Sequence, residues 1–195
     1  MRVPRLAESA VPWVSGDAAP PDLFDLAPAR AAAVEADQAP GWQARLGAAA
    51  LARLDYSLDL IGYRVDFLPG RAGYLGMTFP ERRVIEIYVR DGLTVEDVAR
   101  NTAHEVGHAF DFTHSTGATR LLYKQIRGID GAAWLTCRGC TDLSTPAGDF
   151  AETFAYWLMD GEFPSRSQLG NGSPDVAQLQ RLAPLFSAPP AAPAA

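Results

Sequence analysis

The string His104-Glu105-Val106-Gly107-His108 constrains this chain more than any other feature. Residues four apart lie on one face of an α-helix, one turn from each other, so the two imidazoles can converge on a single metal ion. The glutamate beside the first histidine can reach a water on that ion without binding the ion itself. The surroundings read as a helix. Thr94 with Asp97 three residues on is a variant of the capping box, and Gly107 allows close packing behind the histidine face. The stretch Val84 to Arg90 precedes this helix and alternates, with Ile85, Ile87 and Val89 on one side and Glu86, Tyr88 and Arg90 on the other. That pattern predicts a half-buried strand, which Asp91-Gly92 ends.

The same reading places the other elements. Trp42, Leu46, Ala49, Ala50, Leu54, Leu58 and Ile61 repeat at helical spacing and predict an amphipathic helix over 42–60. Tyr63 to Phe67 alternates as a strand, broken at Pro69-Gly70. A further helix starts at Pro146 after Thr145 and runs to about Asp160, where Gly161 supplies the stop. The order helix, short strands, helix, linker, helix predicts an α+β domain. With 195 residues there is room for one domain, and proline marks its edges. Six of the fifteen prolines fall in residues 1–40 and four lie from Pro184 onward. We expect a Pro/Ala-rich arm over 1–40, the compact domain over 41–187, and a disordered Ala/Pro tail over 188–195. Trp13, Phe24 and Trp42 suggest that parts of the arm pack onto the rest of the chain.

Charge narrows the partners. The formal net charge is −6, from 23 acidic and 17 basic residues with no dense Lys/Arg block. That argues against a nucleic-acid grip or an anchor on an anionic membrane surface. No apolar run approaches the ~20 residues of a membrane span. The two cysteines form Cys137-Arg138-Gly139-Cys140, without the second pair that a structural zinc site wants. A local disulfide closing a tight turn is the preferred reading, and two free thiols the alternative. The N-terminus has no continuous apolar core of a secretion signal. A disulfide would put the protein outside the cell or in its envelope, with a leader missing; free thiols would fit the cytoplasm.

A catalytic zinc takes three protein ligands and keeps one position for water. Glu152, in Asp149-Phe150-Ala151-Glu152-Thr153-Phe154-Ala155, lies among aromatic residues, where an unpaired carboxylate is costly and a metal would compensate it. His114, six residues after His108, is the other candidate, but nothing in Ala109-Phe110-Asp111-Phe112 makes the required helix break easy. We therefore expect Glu152. Asp111, two turns beyond His104, is too far along the helix to join the ion; we expect it either to orient His108 or to form an ion pair at the helix end.

HEVGH followed by DFAETFA resembles the gluzincin arrangement of zinc metallopeptidases, and is most similar to the lethal-factor-like and proline-proline endopeptidase group. The resemblance covers about 60 residues, Val95 to Trp157. It implies a zincin-like domain with one Zn²⁺ per chain, held by His104, His108 and Glu152, with Glu105 as general base. The activity it implies is hydrolysis of a peptide or protein substrate. That group usually has an oxyanion-stabilising tyrosine seven residues before the ligand glutamate. This chain has Thr145 there, leaving Tyr156, Tyr123 or His114 to take its place. The strand Val84 to Arg90 is expected at the sheet edge beside the active-site helix, where an extended peptide could add to it. A zinc hydrolase of a cell-wall amide and a zinc-stabilised regulatory or binding module without turnover are the alternative functions.

Overall fold

A sheet whose apolar strands need cover on one face, and two helices that supply it, organise the domain. The computed structural model describes residues 13–15, 41–135, 141–170 and 172–187. Four strands form one sheet: β1 (Trp13–Ser15), β2 (Arg64–Pro69), β3 (Gly76–Phe79) and β4 (Val84–Val89), in the spatial order β1-β3-β4-β2. β2 runs parallel to β4, whereas β3 is antiparallel to both β4 and β1.

This topology corrects one expectation. The strand Val84–Val89 is interior, flanked by β2 and β3, so it offers no free edge to a peptide. The reason is β3. Its four residues, Gly-Met-Thr-Phe, are too few to show an alternation, yet they pair with β4 along their whole length. Interior position also buries more of β4 than its alternation implies, since Val84 and Tyr88 are buried along with Ile85, Ile87 and Val89.

The described residues hold five α-helices, of which the first two pack against the sheet. Helix α1 (Trp42–Leu51) is shorter than the periodicity predicts. The chain leaves the helix before Asp55-Tyr56-Ser57, residues that favour helices weakly, and Tyr56 instead packs edge-on against Phe154. Leu54 and Ile61 keep their buried positions from outside the helix. Helix α2 (Val95–His114) carries the HEVGH string and starts with the expected capping box between Thr94 and Asp97. Helix α3 (Gly117–Arg127), capped by Thr116, occupies part of what the sequence reads as linker. Helix α4 (Pro146–Leu158) begins on a Thr145 cap with proline in its first turn, as expected. Helix α5 (Val176–Phe186) closes the core from the far side, burying Leu182 and Phe186.

Helix α2 lies between the sheet and α4. A Cβ on Gly107 would stand 2.8 Å from the Ala151 Cα, so only glycine permits this approach of the two helices. Around the contact the core gathers Ile85, Ile87, Val106, Phe110, Phe150 and Phe154. Among the described residues, no helix is long and apolar enough to cross a membrane. Cys137 and Cys140, Phe24 and the 188–195 tail lie outside the described residues.

Candidate metal centre

His104 and His108 project from the middle of α2 into the interior, and both are buried. Their Nε2 atoms are 3.2 Å apart. A third donor joins them from a segment that showed no periodicity. Asp142 opens a single 3-10 turn, Asp142–Ser144, immediately before the Thr145 cap of α4. Its Oδ2 lies 2.9 Å from His104 Nε2 and 3.2 Å from His108 Nε2. The three donor atoms all fall within 4.8 Å of one another. Asp142 Oδ1 is buried without a hydrogen-bond partner.

Two ring nitrogens and a carboxylate oxygen aimed at one buried point are best satisfied together by a cation. Protons alone satisfy them less well, because two imidazole nitrogens facing each other cannot both donate or both accept. A buried carboxylate oxygen left without a partner is costly, and a metal ion would remove that cost. The group could hold a metal ion.

Local sequence explains the position of Asp142. Its carbonyl accepts both the Thr145 backbone N–H and the Thr145 hydroxyl, each at 2.8 Å. A Cβ on Gly148 would meet that same carbonyl at 2.1 Å. Thr145, which stands where the resembled group has its tyrosine, thus holds the turn that carries Asp142 and caps α4. Gly148, in the first turn of α4, leaves the space for it. That small residue was the one available signal for Asp142, which sequence reasoning missed.

The structure places Glu152 on the other side of His104. Its Oε1 is 2.7 Å from His104 Nδ1, not at the Nε2 face where the three donors meet. Glu152 also accepts the Arg166 guanidinium on Oε1, at 2.7 and 3.0 Å, and the Arg166 backbone N–H on Oε2 at 2.7 Å. The charge that compensates this buried carboxylate therefore comes from Arg166 and His104. Arg166 is itself held by the Asn101 side chain at 3.0 Å. It lies in a loop after α4, where no periodicity could announce it.

Electrostatics follow this geometry. Burial by itself pushes the His104 imidazole down, but hydrogen bonds to Asp142 and Glu152 on its two nitrogens overturn that and hold its pKa up at about 10. Burial likewise works against the charged forms of Asp142 and Glu152. For Asp142 the charges and hydrogen bonds of His108 and His104 prevail, and for Glu152 those of His104 and Arg166. Both carboxyls end well below their ordinary range.

Glu105 is fully buried against β3. The Thr78 hydroxyl lies 2.8 Å from its Oε2, placed to donate to it, and a Cβ on Gly76 would come within 2.6 Å of its Cγ. Strand β3 thus holds the glutamate from outside the helix.

The remaining candidates are engaged elsewhere. Both Asp111 oxygens accept from Arg120, at 3.0 Å each, and Oδ2 accepts the Trp134 indole N–H at 2.9 Å. Helix α2 continues unbroken to His114, which rises about 9 Å along the axis beyond His108. The His114 ring packs on Phe110 and its Nε2 meets the Leu60 carbonyl at 3.2 Å. The Tyr123 hydroxyl is buried between Asp149 (2.5 Å) and Thr153 (2.9 Å). Tyr156 packs its ring against Gly161 at the end of α4.

Compared with protein-family models, with curated proteins and with solved structures, the chain gives no significant match.

Proposed function

We propose that this chain is a zinc-dependent endopeptidase in which His104, His108 and Asp142 hold one zinc ion and Glu105 is the general base. The observation that carries the reading is the convergence of two buried Nε2 atoms and one carboxylate oxygen, with Glu105 on the same helix turn. Two imidazoles and a carboxylate suit zinc, and three protein ligands leave a position open for chemistry. Zinc in such a site supplies Lewis acidity, lowering the pKa of a water and polarising a carbonyl.

The protein's own groups have distinct tasks. Glu105 takes the proton of the attacking water and passes it to the leaving amine. The Thr78 hydroxyl donates to Glu105 Oε2 and so fixes the orientation of the carboxylate that takes that proton. Glu152, backed by Arg166, accepts from His104 Nδ1 and so fixes the ring with its Nε2 toward Asp142 and His108, where the three donors would hold the metal. Peptide is the substrate class because HEVGH and DFAETFA resemble those of peptidases. The proposed ligand set differs from the resembled group in taking Asp142 in place of Glu152.

The test is metal analysis of the purified protein together with turnover on a mixed quenched-fluorescent peptide library and on a cell-wall preparation, each with and without chelator. The expected result is about one zinc per chain and peptide cleavage that chelation abolishes and zinc restores. Glu105→Gln should keep the zinc and lose turnover by ~10²–10⁴-fold. Cleavage confined to the cell-wall preparation, or zinc without any turnover, would overturn the peptidase reading.

A further inference from the structure

The outer edge of β3 is the sheet edge nearest the candidate base, and a segment of this same chain lies on it. Trp13–Ser15 pairs antiparallel with β3, placing Trp13 opposite Thr78, Val14 opposite Met77 and Ser15 opposite Gly76. Two of those three partners are the residues that hold Glu105: Thr78 by its hydroxyl and Gly76 by its missing side chain. The backbone of β1 also comes close to the Asp142–Ser144 turn. The segment therefore lies beside both the strand that positions the base and the turn that supplies the third donor.

An extended peptide that reached the ion and added to the free edge of this sheet by main-chain hydrogen bonds would take the same track. Neighbouring strands lie ~4.8 Å apart, so two chains cannot share one edge. We propose, resting on the peptidase reading above, that Trp13–Ser15 is an intramolecular competitor that occupies the substrate's track along β3 and holds the enzyme in check. Its size suits a reversible occupant. Three residues pair, and Pro12 and Gly16 bound the run, the first lacking an N–H and the second weakening strand propensity. So short a strand adds little stability by itself. It competes because covalent attachment keeps it close to its edge.

The experiment uses full-length, zinc-loaded protein and the variant Val14→Pro, which removes a backbone N–H from the segment and leaves the metal donors untouched. Two readouts are taken: hydrogen–deuterium exchange of Gly76–Phe79, and turnover of the mixed peptide library. If the arm holds the edge nine-tenths of the time, its release should raise kcat/KM about tenfold. Exchange in Gly76–Phe79 should quicken in parallel. A synthetic peptide of residues 10–18, added to the variant, should slow that exchange again and inhibit competitively. Unchanged exchange in the variant would overturn the proposal. So would faster exchange with a lower melting temperature and no gain in turnover, because β1 would then be a structural strand. If exchange quickens and the added peptide reverses it while neither protein cleaves any peptide, the occupied edge stands and the peptidase reading is what fails.

Discussion

Two acidic residues claim opposite nitrogens of His104, and their roles differ because the nitrogens do. Asp142 faces the Nε2 that it shares with His108, whereas Glu152 faces Nδ1 and is already saturated by Arg166. Removing Asp142 should remove a ligand, and removing Glu152 should only loosen the ring that presents one. Asp142→Ala is therefore expected to lose stoichiometric zinc. Glu152→Gln should retain it with affinity weakened ~10–100-fold, the usual cost of losing a carboxylate behind a metal-bound imidazole. Competition against a chromophoric chelator measures both. The reverse ranking would restore Glu152 to the ligand set. Thr78 offers a finer probe, since its hydroxyl touches Glu105 and no metal donor. Thr78→Val should lower kcat while zinc content and KM stay near their wild-type values.

The site is assembled by elements that approach one another only where glycine allows it. Gly107→Ala would drive a methyl group into the Ala151 backbone, and Gly148→Ala would drive one into the carbonyl of Asp142. Overpacking of this kind costs ~1–3 kcal/mol, so both variants should melt earlier in a thermal scan. They should differ in metal content. Gly148→Ala displaces the turn that carries the proposed ligand Asp142 and should lose zinc affinity, whereas Gly107→Ala acts behind the histidine face and should lose mainly stability. Equal zinc affinity in the two would argue against the Asp142 turn as part of the site. The legibility of these elements follows from how local their signals are. The α2 cap, the HEVGH face and the Thr145-Pro146 start of α4 are written within a turn or two of sequence, and they stand where expected. Strand β3 and helix α3 were missed. The first is too short to alternate, and the second leaves Leu121 and Leu122 exposed, so its apolar face is incomplete. Asp142 and Arg166 were missed for a different reason: each meets its partner across dozens of residues or from a loop, and no periodicity records a long-range contact.

For the whole molecule, the buried centre sets how stability depends on pH, and metal reverses part of that dependence. Without metal, His104 carries its proton up to about 10 against an ordinary 6.5. A raised value in the folded state means that its contribution is complete below 6.5 and disappears as pH rises through 10. Asp142 and Glu152 are shifted the other way, from ordinary values of 3.8 and 4.5. Their contribution is complete above those values and disappears as pH falls below them. The chelated protein should therefore be most stable between about pH 5 and 6.5, losing melting temperature on either side. Zinc requires the His104 Nε2 without its proton, so metal and proton compete for one site. The loaded protein should gain stability relative to the chelated one as pH rises from 6 to 9, because fewer protons then oppose the metal. At free zinc a thousandfold above its Kd the gain is about 4 kcal/mol. Melting curves of chelated and zinc-loaded protein across pH 4–9 measure both slopes. A chelated protein whose melting temperature climbs from pH 6 to 9 would show that His104 is not held between the two carboxylates. A gap between the two proteins that narrows over the same range would show that the ion does not replace its proton.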